Sequence, residues 1–486
     1  MVGALDATRI LGKATRWPVG GVAGDDEPSW NQSARAGPPG AASAAVLQSD
    51  MPLSHRDRVP PASLRRNFLW TLVGNVIYAG CQWGMLVVLA KLVSPEEVGA
   101  FALALAVTAP AFMFTNLQLR AVQATDARDE HTFQTYVRLR LGMTVVAMVV
   151  VIGLAALRRD TRAVACVIVG MGAAKSFESV SDVIYGLFQK RERMEKIALS
   201  MSLKGVLSLT VLGACVAVTG SVAAGTAGLA ITWAIVLLAY DAPTCSRMLV
   251  GREDAQLGRT VVHGPGLRAL ALRSLPLGVV TMLLSLISNV PRYYVDHYLG
   301  PGPLAIFTGM AYLMVAGNTV VGAIGQSASP RLARHYAEGD GPAFRRILGR
   351  LVSACAAIGV LGLVVAVVAG RPLLTLLYRP EYAEHQGAFL WIMVAASFSY
   401  VGGILGVAVT SARWFHGQTY IHAASLAVVL ALNAFLVPRA GLEGAGIAIA
   451  LHWLLATSAY AFVLRHILRQ LKTNADRALA LRQSAL

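Results

Sequence analysis

The sequence predicts an all-α integral membrane protein with twelve transmembrane helices, arranged as two six-helix bundles related by an internal repeat. Three observations predict it. Hydrophobic residues make up 56% of the 486 residues and charged residues 14%, and the mean hydropathy is +0.58. That balance leaves too little polar surface to solvate a soluble globule of this size. From Asn67 onward the chain is a succession of apolar stretches, each close to the roughly 20 residues that a helix needs to cross a bilayer. Landmarks in the first six stretches recur in the last six. Backbone groups in hydrocarbon must be bonded internally, so helices are the economical way across.

The elements follow in order. Residues 1–60 are rich in Gly, Pro, Ala and Ser and lack an apolar run long enough for a signal segment, so they are expected to form a disordered cytoplasmic tail. Met51 precedes the basic Arg56, Arg58, Arg65 and Arg66 and is a candidate translation start. Span one, residues 67–92, is joined to span two, 98–119, by a short segment around Pro95; Arg120, Arg128, Arg138 and Arg140 follow. Span three, 136–157, is closed by Arg158, Arg159 and Arg162, and span four, 163–188, by Lys190, Arg191, Arg193 and Lys196. Spans five and six, 197–219 and 222–243, flank a tight turn, and Arg247, Arg252, Arg259, Arg268 and Arg273 come next. Spans seven and eight, 275–298 and 304–325, are joined around Pro301 and precede Arg331, Arg334, Arg345, Arg346 and Arg350. Span nine, 351–370, leads to Arg371 and Arg379, span ten, 388–411, to Arg413, and span eleven, 420–437, to Arg439. Span twelve, 441–464, runs into a tail bearing Arg465, Arg469, Lys472, Arg477 and Arg482. The larger basic clusters fall on alternate sides, which by the positive-inside rule puts both termini in the cytoplasm. The expected division is tail 1–60, N-terminal bundle 61–245, cytoplasmic linker 246–271, C-terminal bundle 272–465 and basic tail 466–486.

The net charge of +16 fits basic loops against an anionic leaflet and calls for no nucleic acid. Cys81, Cys166, Cys215, Cys245 and Cys355 are scattered, without C-x-x-C spacing or nearby His pairs, and read as small buried hydrophobes; neither a metal nor a cofactor is expected. Gly170 to Ser176 resembles a phosphate loop, but Ala174 stands where glycine is required and the segment lies inside an apolar span. No nucleophile elbow or H-E-x-x-H is present, so the chain is not expected to be an enzyme.

The repeat shows in two places. Lys91-Leu-Val-Ser-Pro95-Glu-Glu-Val-Gly-Ala-Phe101 parallels His297-Tyr-Leu-Gly-Pro301-Gly-Pro-Leu-Ala-Ile-Phe307, and Thr226-Ala-Gly-Leu-Ala-Ile231 parallels Gly444-Ala-Gly-Ile-Ala-Ile449. Both halves have the same orientation, so the relating axis runs along the membrane normal, with a cavity between the bundles. The opening Asn67-Phe-Leu-Trp-Thr-Leu-Val-Gly-Asn75 with Leu89 to Phe101, the stretch Pro276 to Leu313, and Pro330-Arg-Leu-Ala-Arg-His-Tyr-Ala-Glu-Gly-Asp340 resemble the polysaccharide transporter family, which includes the Wzx-type O-antigen flippases and exopolysaccharide exporters. The resemblance covers about residues 65–470. It implies the fold of the multidrug/oligosaccharidyl-lipid/polysaccharide exporter superfamily, alternating access and a lipid-linked sugar as cargo. Many relatives place Asp directly before the arginine of helix seven, whereas this chain has Pro291 before Arg292.

Ionisable and amide side chains within spans are costly, and they are the candidates for function. Lys175, Glu178 and Asp182 share one face of span four; Lys175 suits an anionic headgroup and the two carboxylates are candidates for ion coupling. A self-compensating Lys-Glu pair is the alternative. Asn67, Thr71, Asn75, Tyr78 and Gln82 form a polar stripe on span one, suited to sugar hydroxyls or to bonding neighbouring helices. Ser285, Asn289, Arg292 and Asp296 repeat the arrangement on span seven; the planar Arg292 guanidinium suits a diphosphate, or else snorkels or pairs with Asp296. Thr308, Tyr312, Thr319 and Gln326 mark a weaker stripe on span eight, and Asn433, His422 and His452 are isolated polar residues.

The expected function is flipping of a polyprenyl-diphosphate-linked oligosaccharide from the cytoplasmic to the outer leaflet of the bacterial inner membrane. The cargo site would comprise Arg292, Lys175, Asn75, Tyr78, Gln82 and Asn289, with Glu178 and Asp182 as coupling groups. Membrane lipids, a polysaccharide polymerase and export machinery are the further expected partners. The rivals are a cation-coupled multidrug exporter of the same superfamily, whose cargo favours carboxylates and aromatics, and a membrane glycosyltransferase or polymerase, which would need a larger outer loop than this chain offers.

Overall fold

The computed structural model describes residues 64–126, 130–158, 162–250 and 266–484, and these are helical with no strand. The expected tail 1–60, the Met51 start, Arg128, Arg159, Arg252 and Arg259 lie outside the described residues, as does the central part of the expected linker. The helices are α1 (Leu64–Leu92), α2 (Pro95–Thr115), α3 (Leu119–Thr125), α4 (Phe133–Leu157), α5 (Arg162–Lys190), α6 (Met194–Thr219), α7 (Val222–Val236), α8 (Ala242–Val250), α9 (Leu267–Leu299), α10 (Pro301–Ala337), α11 (Gly341–Leu377), α12 (Pro380–Glu384), α13 (Gln386–Ser411) and α14 (Phe415–Ser484). Their starts have local causes. Ser94 Oγ accepts from the Glu97 N–H at 3.4 Å ahead of Pro95, and Asp340 accepts from the Ala343 N–H at 2.9 Å. Both are side-chain caps that satisfy otherwise unpaired first-turn donors.

Eleven continuous stretches among the described residues are long and apolar enough to cross a membrane. The last, Tyr420–Gln470, contains both spans eleven and twelve. It is broken at Gly441 (φ 56°, ψ −135°), after Pro438. A side chain there would be strained, and Gly444 packs so closely on the Leu436 carbonyl that a Cβ would lie 2.2 Å from it. Two helical pieces meet at this kink, giving twelve crossings among the described residues. Three other elements depart from the expected spans. The second stops at Thr115, because Leu117 and Gln118 take φ of 48° and 51°, and resumes as α3. The sixth contains a π-helical turn at Leu237–Asp241. The expected cytoplasmic tail is a helical continuation of α14 as far as Ser484.

The two halves repeat one packing scheme. In the first, α1 lies along α6, and α5 contacts α2, α4 and α7; in the second, α9 lies along α14, and α13 contacts α10, α11 and α14. The turns before α6 and before the expected span eleven match as well, since each is three residues long and centred on a left-handed residue, Glu192 (φ 55°) and Arg413 (φ 57°).

The halves meet mainly through α2, which packs on α9 and α10. Gly99 makes this possible, because a Cβ there would sit 2.0 Å from the Pro301 carbonyl oxygen. On that same face, which the sequence pattern assigns to the outside, Trp83 Nε1 donates to the Tyr378 hydroxyl at 3.0 Å and Arg158 pairs with Asp296 at 2.6 Å. Lys91 donates to the Thr375 carbonyl at 3.3 Å, while Arg379 donates to the Lys91 carbonyl at 3.2 Å. Nearer the opposite face, Leu69, Trp70, Val73 and Val76 of α1 are exposed. This conformation is sealed across the first face.

Candidate functional site

Irregular backbone builds the site. The break at 116–118 ends α2 inside the protein and turns Asn116, Gln118 and Arg120 toward α5, where they meet the polar face of Lys175, Glu178, Ser179 and Asp182. A cavity of about 460 Å³ lies between them, walled also by Tyr78 of α1, Tyr185 of α5, and Met201 and Lys204 of α6. All of its lining comes from the N-terminal half.

Every charge on this wall is compensated. Both oxygens of Glu178 are used, one by Lys175 Nζ at 2.7 Å and the other by the Tyr78 hydroxyl at 2.7 Å. Lys175 also lies 5.3 Å from the centre of the Trp233 ring. Asp182 receives Arg140 at 2.9 Å and has Arg120 at 3.6 Å. Arg140, fully buried, also bonds Asn116 and Ser179. Deeper still, Lys204 is 1% exposed and donates to Asp241 at 2.9 Å and to the Tyr185 hydroxyl at 3.0 Å. The Tyr185 hydroxyl shares a further bond with Ser200 at 2.6 Å. Arg120 and Lys204 both lie over the Tyr185 ring, at 5.5 and 5.0 Å from its centre. Asp241 sits in the π-helical turn, and its second oxygen has no hydrogen-bond partner among the described residues. Such bulges occur often at functional sites.

The structure thus brings together four of the expected residues, Tyr78, Lys175, Glu178 and Asp182. It places the others elsewhere. Arg292 donates to the Asn289 side-chain oxygen at 2.8 Å and to the Ser288 carbonyl at 3.3 Å, and Asn289 donates to the Ser285 carbonyl at 2.8 Å. This chain of bonds runs along α9 and does not border the cavity. The alternative pairing of Arg292 with Asp296 is not formed, since Asp296 holds Arg158. Asn75 is exposed on α1, and Gln82, one turn beyond Tyr78, does not line the cavity but lies within hydrogen-bonding reach of the Tyr78 hydroxyl behind its wall. Among the described residues, no group of three or more His, Cys, Asp or Glu is arranged to hold a metal ion.

Arg140, Lys204 and Asp241 were not among the expected site residues. Arg140 falls inside the expected span three, 136–157, yet is counted there among the basic residues of the cytoplasmic side; α4 carries it inward to a fully buried position. Lys204 and Asp241 each stand alone within a span, with no charged residue at helical spacing to mark them. An isolated lysine in one apolar stretch and an isolated aspartate in the next was the available signal.

Residues 64–335 match the model of a family described as "Polysaccharide biosynthesis protein". The capsular polysaccharide biosynthesis protein CapF of Staphylococcus aureus is 23% identical over 402 residues, which cover 83% of this chain and 99% of that protein. Among solved structures, a multidrug resistance MATE family transporter of the MOP superfamily aligns in its inward-facing conformation with a TM-score of 0.62 at 14% identity, over 84% of this chain and 96% of that one. A MOP superfamily transporter from Pyrococcus furiosus, described as having a binding pocket of reversed polarity, aligns with a TM-score of 0.60 at 12% identity over the same shares. These likenesses show the fold.

Proposed function

The chain belongs to the polysaccharide biosynthesis protein family, and from that premise we propose that it flips a polyprenyl-diphosphate-linked oligosaccharide across the bacterial inner membrane. The observation that carries this reading is the N-terminal cavity. Its lining presents Lys175, Arg120 and Lys204, with Arg140 just behind, on a wall that also offers the neutral amide donors of Asn116 and Gln189. A diphosphate leaving water must exchange its hydration for charge-assisted hydrogen bonds, and several cations at one wall supply them. The polyprenyl tail stays in lipid throughout.

The excess of basic residues in the loops supports a cytoplasmic location for the face bearing the 190–194 and 337–341 turns and for both termini, by the positive-inside rule. The seal around Trp83, Tyr378, Arg158 and Asp296 then closes the outer side, and the cargo enters from the cytoplasm. Rocking of the halves about the α2 contact would expose the site to the other side. The chain is read as a transporter and not an enzyme.

A multidrug exporter of the same superfamily would share this fold, but a cationic drug would meet an excess of positive charge. Here the four cations Arg120, Arg140, Lys175 and Lys204 stand against the three carboxylates Glu178, Asp182 and Asp241. The test is export in cells that depend on this protein. Lys175→Gln together with Arg120→Gln is expected to cut exported glycan at least about tenfold, the loss of two charge-assisted bonds. The protein should remain in the membrane at its normal level. Full export by the double variant overturns the reading.

A further inference from the structure

The C-terminal half holds a second cavity, of about 330 Å³, lined from α10, α13 and α14. The internal repeat maps it onto the charged cavity. Aligning Pro95 with Pro301, which open α2 and α10, pairs Arg120 with Gln326. Aligning the left-handed residues Glu192 and Arg413 pairs Tyr185 with Gly406, Gln189 with Thr410 and Met201 with His422. Each of these residues lines the cavity of its own half. One site has therefore been kept twice, with different chemistry.

The second copy carries no charged side chain on its wall apart from whatever charge His422 takes. Its polar groups are Gln326, Ser329, Thr410, Gln418, His422 and Tyr460. Gln418 donates to the Thr410 hydroxyl at 2.8 Å, and the Ser329 and Ser411 hydroxyls share a bond at 3.1 Å. The His422 ring and the Tyr460 hydroxyl make no hydrogen bond to the described residues and remain available. Amides, hydroxyls and an imidazole both donate and accept, as an uncharged sugar requires, and the Tyr460 ring offers a flat apolar surface. Gly406, standing where the other half has Tyr185, leaves the space open, and the volume lies within the range of small-molecule sites.

We propose that this cavity is a neutral-sugar subsite, which holds uncharged glycan of the cargo while the charged cavity holds the phosphates. The proposal rests on the flippase reading and adds to it a second, separately testable site.

Two variants test it in cells and in purified full-length protein. Gly406→Leu fills the cavity; a Cβ at this position meets only the Tyr460 ring, at 3.8 Å, so the backbone accommodates it. The triple variant Gln326→Leu, Thr410→Val, His422→Leu keeps the shape and removes the hydrogen bonds. Both are expected to lower glycan export at least about tenfold, the first by occlusion and the second by loss of hydrogen bonds to the sugar. Binding of radiolabelled inorganic pyrophosphate should stay within about twofold of the parent, since the charged cavity is untouched. Normal export by the triple variant means that the occupant is apolar, such as a lipid chain, and overturns the proposal. An equal loss of pyrophosphate binding means general damage and overturns it too. If deleting the whole protein leaves export intact, it is the flippase reading that has failed. Saturation-transfer NMR with free glucose, galactose and N-acetylglucosamine then decides the subsite alone: a signal that Gly406→Leu abolishes supports it for free sugars, and no signal with the parent protein overturns it.

Discussion

Removing Asp241 should destabilise the protein more than removing almost any other single carboxylate, and removing Lys204 with it should restore most of the loss. The pair is 2.9 Å apart, with Lys204 1% and Asp241 0% exposed, so neither charge has water to fall back on. Breaking such a pair by deleting one partner costs about 3–5 kcal/mol, because the survivor is left charged and unsolvated. Deleting both returns most of that, since the desolvation cost disappears with the attraction. The structure sharpens the expectation, because Asp241 leaves one oxygen unbonded and the pair is only partly satisfied even when intact. Asp241→Leu is therefore expected to lower stability by about 3 kcal/mol, and Lys204→Met by a similar amount. The double variant should lie within about 1 kcal/mol of the parent, a coupling of several kcal/mol. The assay is unfolding of purified protein in nanodiscs, by heat and by denaturant, on the parent, both singles and the double. Single variants that lose less than about 1 kcal/mol, or a double variant that loses the sum of the two, would refute the reasoning.

Two further outcomes follow from geometry elsewhere. Gly99→Leu places a side chain where the Pro301 carbonyl now sits, so it should hold the sealed face open. Labelling by a membrane-impermeant maleimide of a cysteine placed at Ala305, which is buried against the N-terminal half, should be slow in an otherwise cysteine-free parent and at least about tenfold faster with Gly99→Leu. Equal rates would mean that the seal does not depend on this contact. Asp126, between α3 and α4, carries the pH dependence. Burial works to raise its carboxyl, but the backbone N–H groups of Glu130 and His131 and the Lys190 cation outweigh burial and hold it below the ordinary aspartate range. A lowered carboxyl contributes stability that is fully present above the unfolded value of about 3.9 and is lost as pH falls through the folded value. The melting-temperature gap between the parent and Asp126→Asn should therefore be constant from pH 7 to pH 5 and close below about pH 4. A gap that closes near pH 6 would point to a different group.

Length and charge patterning made the helices legible, because the bilayer imposes a length that any apolar run must meet. The breaks were harder to read. Leu117 and Gln118 adopt left-handed backbone without a glycine to announce it, and the π-helical turn ending at Asp241 has no local signature. The cavity was legible only along single helices. Lys175, Glu178 and Asp182 stand at helical spacing and did meet on one wall, as did Tyr78. Arg140 and the Lys204–Asp241 pair unite helices distant in sequence, so no spacing rule could join them. Arg292 shows the reverse case, since its place beside Asn289 was legible while its distance from the cavity, and the Arg158 partner that takes Asp296, were set by tertiary packing.

The pairing of every carboxylate around the N-terminal cavity with a lysine or arginine has a consequence for the proposed cycle. A carrier must return empty after each delivery, and unpaired buried cations would make the empty state costly in a region with little water. With Glu178 on Lys175, Asp182 on Arg140 and Asp241 on Lys204, the empty cavity is compensated from within. An incoming diphosphate gains the cations only by displacing these carboxylates, so the net gain is the difference between two similar interactions. That keeps binding weak enough to release the cargo on the far side, and it makes selectivity depend on how well the phosphates match the spacing of Lys175, Arg120 and Lys204. Glu178→Gln tests the point. It removes a competitor and should tighten binding of inorganic pyrophosphate about tenfold while slowing export, because release becomes the harder step. Weaker pyrophosphate binding by this variant would show that Glu178 positions Lys175 for the anion instead of competing with it.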